Sequence, residues 1–232
     1  MSAPRMLDVS GVNPATGKPW YGTRETVWQG NRIEFRWVNH QVDEPEPTAG
    51  KGTCLHWTAD RRLVVYNDYM VSAVQGPDGK AYLVKAISGN QRQAHLWKRN
   101  GMVDGWALCA DPTVPGREPT MAQVELMAQW NAEYCAWKRI DPRGKVTLPE
   151  MACDASAENA WFTGKQIAMP TVSDHAEYAK ADGYGRFRWD CSWKLPGANG
   201  RTVSEHYRKR TLDFYDDLKE GTRKFEFSAF ID

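Results

Sequence analysis

The stretch from Thr120 to Arg139 constrains this chain most. Thr120 is a residue that accepts a helix N-cap bond, and Gln123 stands three positions on, so the two satisfy each other's orphan backbone donors as a capping box. Val124, Met127, Ala128 and Cys135 then recur at helical spacing on one face. The segment D-P-R-G-K-V-T-L-P-E-M, beginning at Asp141, breaks the helix. A second helix is expected over 202–220, where Thr202 and Glu205 repeat the capping box and Gly221 stands at the stop. Its Val203, Tyr207, Phe214 and Leu218 are placed to pack on the body of the protein.

Strand signals surround these helices. Ile33, Phe35 and Trp37 alternate with polar residues, and 53–57 is a short β-prone run. Residues 69–87 read as two strands around Pro77-Asp78-Gly79, and 102–109 as another strand. Residues 151–172 follow neither period, and 194–200 (K-L-P-G-A-N-G) is a loop. Strands mixed with two or three helices predict an α/β class with a central mixed β-sheet flanked by helices. The Pro-, Gly- and charge-rich run 43–52 divides a turn-rich N-terminal extension (1–50), packed on or preceding the rest, from a main domain (51–232).

Composition narrows the function. Lys plus Arg total 30 against 29 Asp plus Glu, so the chain lacks the basic footprint of a nucleic-acid binder, and no polybasic run suits a membrane surface. No stretch approaches the ~18 apolar residues of a spanning helix, so no stable membrane insertion is expected. The N-terminus M-S-A-P-R-M-L-D-V-S has no apolar run of signal-peptide length, which implies synthesis in the cytoplasm without a signal peptide. The five cysteines are widely spaced, with no C-x-x-C pair for a zinc ribbon or a redox motif. The 11 Trp and 9 Tyr serve a β-rich core or line a groove for sugar or peptide.

His56 lies in the run C-L-H-W-T-A, and His175, Asp190 and Cys191 lie in 173–193. Two imidazoles with one carboxylate or thiolate make a three-ligand set. Such a set leaves a coordination position open for water, the pattern of catalytic zinc. Zinc lowers the pKa of a bound water towards ~7, which suits attack on an amide carbonyl at neutral pH. Residues 119 positions apart meet only if the fold brings them together.

Order and wording sharpen this reading. L-H-W-T-A (55–59), S-A-V-Q-G-P-D-G-K-A-Y (72–82), A-H-L-W-K-R-N-G-M-V-D-G-W-A-L-C (94–109), P-T-M-A-Q (119–123) and D-H-A-E-Y-A-K-A-D-G-Y-G-R-F-R-W-D (174–190) follow one another along the chain. Together they resemble the zinc-dependent type-2 N-acetylmuramoyl-L-alanine amidases and peptidoglycan-recognition domains, the last segment most of all the phage endolysin versions. The resemblance implies a Zn²⁺ ion held by His56, His175 and Asp190, with Asp190 ranked ahead of the adjacent Cys191. It places Arg188 where the family usually has an oxyanion-steadying Lys, and His95 and Asn100 along the substrate cleft. It further implies a peptidoglycan or muropeptide substrate cut between N-acetylmuramic acid and L-alanine, with action on the cell wall after release from the cell. Two departures stand out. Residues 177–185 lengthen the spacing between His175 and Asp190 beyond that of compact members, and the general base is not placed, with Tyr69 and Tyr66 the nearest in wording. Glu177 reads as a solvated helix residue ahead of a carboxylate orienting an imidazole.

Two other readings compete. A non-catalytic peptidoglycan-binding module of the same fold would keep the groove and lose the metal. A cysteine peptidase would pair Cys54 or Cys191 with His175, although neither cysteine precedes a convincing helix that would lower its pKa.

Overall fold

The computed structural model describes residues 118–154, 159–181 and 192–228, together with seven short strands that precede them. These are β1 (Met6–Asp8), β2 (Val12–Asn13), β3 (Lys18–Pro19), β4 (Asn39–Gln41), β5 (Tyr69–Val71), β6 (Leu83–Lys85) and β7 (Trp106–Leu108). Five of them form one mixed sheet in the order β1-β6-β5-β7-β4. β5 and β6 pair antiparallel, as a hairpin over 69–87 requires, whereas β1–β6, β5–β7 and β4–β7 are parallel. Residues 6–8 and 39–41 thus form the two outer strands of this sheet. The alternating run Ile33 to Trp37, the 53–57 run and the Pro77-Asp78-Gly79 turn lie outside the described residues.

Helix α1 (Met121–Trp137) lies between that sheet and the last helix, touching β5 and β7 on one side and α3 (Val203–Glu220) along the other. This sandwiching explains a feature beyond the one apolar face marked in the sequence. Val124, Met127, Ala128 and Cys135 are all fully buried, but so are Trp130, Asn131 and Ala132. A helix covered on both sides must be apolar, or internally satisfied, nearly all round. Trp106 of β7 meets Trp130 edge-on at 5.7 Å and Tyr134 at 5.2 Å. Each such aromatic removes ~150–250 Å² from water, a gross ~4–6 kcal/mol at ~25 cal/mol/Å².

Asn131 is a buried polar residue between sheet and helices, and its hydrogen bonds are made. Its Oδ1 accepts from Trp106 Nε1 (3.3 Å), and its Nδ2 donates to Thr211 Oγ1 of α3 (3.4 Å). One amide therefore links sheet, α1 and α3. At the margin of the same interface, Glu125 of α1 faces His206 Nε2 (2.8 Å) and accepts from Arg210 Nε (2.9 Å to each oxygen). Both capping boxes form: Gln123 N–H reaches Thr120 Oγ1 at 3.2 Å, and Glu205 N–H reaches Thr202 Oγ1 at 3.1 Å. Gly221 closes α3 at φ 74°, a left-handed conformation that glycine adopts without a Cβ penalty.

The stretch that follows no period in the sequence is an antiparallel ribbon of β8 (Lys145–Cys153) and β9 (Ala160–Pro170). Pro149 stands inside one strand and Gly164, at φ 83°, inside the other, and the register shifts between Pro149 and Met151. That irregularity interrupts the period-2 signal by which a strand is recognised. Trp161 and Phe162 of β9 are exposed. No described helix is long and apolar enough to cross a membrane.

Candidate functional site

β9 delivers the chain to the short helix α2 (His175–Ala181), whose first residue is the second predicted imidazole. The approach is buried throughout: Thr171, Val172, Ser173, Asp174 and His175 are each less than a tenth exposed, and His175 retains 3% of its surface. Thr171 N–H bonds to Gly144 O (3.0 Å) and Ser173 Oγ donates to Pro170 O (2.6 Å), so the turn into α2 is pinned before the helix begins.

Asp174 then acts as the helix cap. Its Oδ1 accepts from Glu177 N–H at 2.7 Å, and Glu177 Oε2 accepts from Asp174 N–H at 3.0 Å, a capping box closed on itself. Asp174 Oδ2 accepts from Ser204 Oγ, 2.7 Å away on the first turn of α3. Arg208, one turn further along α3, pairs with Glu177 and lies 3.8 Å from Asp174 Oδ2. Burial, and then the negative charge of Glu177, push the Asp174 carboxyl above its ordinary range. The Ser204 and backbone hydrogen bonds and the Arg208 charge act the other way. This cluster holds the start of α2, and with it the His175 backbone, against α3.

Of the predicted site residues, His175 is the one whose side chain is described. His56, His95, Asn100, Arg188, Asp190, Cys191 and Tyr66 lie outside the described residues. Tyr69 is described only by its strand position, paired with Lys85 on one side and Trp106 on the other within the main sheet. Among the described residues, no three His, Cys, Asp or Glu side chains gather into a metal-binding set. Glu177, read from sequence as a solvated helix residue, is half-buried and engaged by Asp174 and Arg208. Cys54 and Cys191, the thiols of the peptidase reading, are outside the described residues, while burial pushes the Cys135 thiol well up and keeps it protonated.

Ser204 and Arg208 are absent from the sequence reading. The Asp174-x-x-Glu177 spacing is a capping-box signal and could have located the start of α2. The Ser204–Asp174 bond spans 30 residues, and no local pattern announces it.

The mixed sheet with helices packed beside it is the expected α/β architecture. The chain is similar to the crystal structure of the Staphylococcus aureus hydrolase AmiA in complex with its ligand. Its TM-score to that structure is 0.56 with 10% identity, covering 95% of this chain and 87% of that one. At that identity the likeness is one of fold. No family model matches the chain, and no curated protein matches it in sequence.

Proposed function

We propose that this chain is a zinc-dependent N-acetylmuramoyl-L-alanine amidase that cuts peptidoglycan between glycan and stem peptide, as a phage endolysin does. One observation supports the reading: the chain shares its fold with a known hydrolase over 95% of its length.

The donor chemistry fits the ion. Imidazole nitrogen with carboxylate oxygen is a donor set that zinc accepts, and His175 is withdrawn from bulk water. His56, His175 and Asp190 would hold it. When bound, the ion supplies Lewis acidity that polarises an amide carbonyl and acidifies a water. His95 and Asn100 would line the cleft and orient the muramoyl-peptide. Arg188 would hold the negative charge that develops on the carbonyl oxygen, since its guanidinium keeps its charge and offers forked donors. Asp174 and Ser204 hold the backbone from which His175 projects.

The test is digestion of purified cell walls followed by mass analysis of the soluble products. The reading expects intact glycan chains and stem peptides bearing a new L-alanine amine. It also expects activity to be lost to EDTA and insensitive to iodoacetamide. Cleavage elsewhere in the peptide, or loss of activity to iodoacetamide with resistance to EDTA, would overturn it.

A further inference from the structure

We propose that Ser204 and Asp174 are positioning residues for the His175 imidazole, and that α3 thereby sets the affinity of the metal centre. The inference rests on the reading of His175 as a zinc ligand. His175 is the first residue of a helix only seven residues long, and so short a helix cannot hold its own first turn. The turn is held instead by a buried carboxylate that works in two directions. One oxygen caps Glu177 N–H (2.7 Å), and the other accepts from the Ser204 hydroxyl (2.7 Å), itself buried on α3. α3 is in turn fixed along its length to α1. The Ser204–Asp174 bond therefore ties the residue next to His175 to the most extensively packed helix pair among the described residues. A ligand side chain offset by a fraction of an ångström forfeits coordination, and groups that orient a ligand typically change metal affinity by ~10–100-fold.

The experiment measures the zinc affinity of the full chain by competition with a chromogenic chelator, using zinc salt alone and no substrate. Ser204→Ala is expected to bind zinc about tenfold more weakly than the native chain, at the low end of that range. Ser204→Thr, which keeps the hydroxyl, should recover most of the affinity. Asp174→Ser keeps an N-cap oxygen but is too short to reach Ser204, so it should show the same loss. The double variant should lose no more than either single one. Thr202→Ala removes a cap from the same helix end without touching Asp174, and its affinity should stay within about twofold of native despite a comparable loss of stability. Equal zinc affinity in Ser204→Ala and the native chain would overturn the positioning role, as would an equal loss in Thr202→Ala. A native chain that takes up no zinc would instead sink the amidase reading itself and this inference with it, so the two failures are told apart.

Discussion

Phe227 lies seven residues beyond the end of the last helix, yet its ring is fully buried, edge-on to Trp130 at 5.7 Å and 78°. Its backbone N–H donates to Glu133 Oε2 at 2.6 Å, a bond that survives truncation of the side chain. Phe227→Ala therefore removes a ring and leaves the hydrogen bonding in place. A buried Phe→Ala change costs ~3–5 kcal/mol through lost transfer energy and the cavity left behind, of which the aromatic pairing supplies ~0.5–1.5. Phe225, two residues earlier, is the internal control. It is 42% exposed, and its ring sits 6.3 Å from Trp137, itself 52% exposed. Phe225→Ala should cost about 1 kcal/mol or less. Urea unfolding followed by far-UV circular dichroism should separate the two variants by at least ~2 kcal/mol. Heating should lower the midpoint of Phe227→Ala by roughly 6–20 °C, at ~2–4 °C per kcal/mol for a chain of this size. Equal losses in the two variants, or a Phe227→Ala loss below about 1 kcal/mol, would refute the view that the C-terminal segment completes the core.

The carboxylate that receives this segment predicts a pH dependence. Burial, against the hydrogen bonds from Phe227, Gln129 and Glu226, raises the Glu133 pKa above its ordinary value. The folded protein thus binds the Glu133 proton more tightly than the unfolded chain. The stability linked to that proton is full below the unfolded pKa near ~4.3 and is lost as pH rises through the folded value. Glu133→Gln should therefore gain on the native protein as pH rises across that window, as read from urea midpoints; a gap that stays constant, or moves the other way, contradicts it. Thr120→Ala and Thr202→Ala should each cost about 1 kcal/mol in urea unfolding, because each removes an observed N-cap bond. Gly221→Ala, at φ 74°, should cost a similar ~1 kcal/mol, and no loss there would contradict the left-handed stop of α3. In muropeptide release, Arg188→Ala should lower kcat by ~10²–10³ and Arg188→Lys should restore part of it, whereas unchanged turnover in Arg188→Ala would remove it from the oxyanion role.

The parts of the fold that could be read from the sequence were those with local causes. Thr120 with Gln123, and Thr202 with Glu205, mark helix starts because capping is settled within four residues, and Gly221 marks a stop for the same reason. The second buried side of α1 was hidden, because Trp130, Asn131 and Tyr134 are buried by a sheet whose strands come from distant stretches. The β8–β9 ribbon was hidden for a different reason. Its exposed aromatics, internal proline and shifted register break the alternation that identifies strands. Around the proposed ligand His175, the α3 side chains that hold the start of its helix carry no local signal in the sequence. Ser204 and Arg208 meet Asp174 and Glu177 in space from 30 and 31 positions away in sequence, contacts without a local signature.

The central claim is that His56, His175 and Asp190 converge on one zinc ion. Its most direct test is a crystal structure of the zinc-loaded protein with anomalous data at the zinc edge. The account predicts a single peak within ~2.0–2.2 Å of a ring nitrogen of His56, a ring nitrogen of His175 and a carboxylate oxygen of Asp190. A peak bound elsewhere, or no peak in protein that still releases muropeptides, would contradict it.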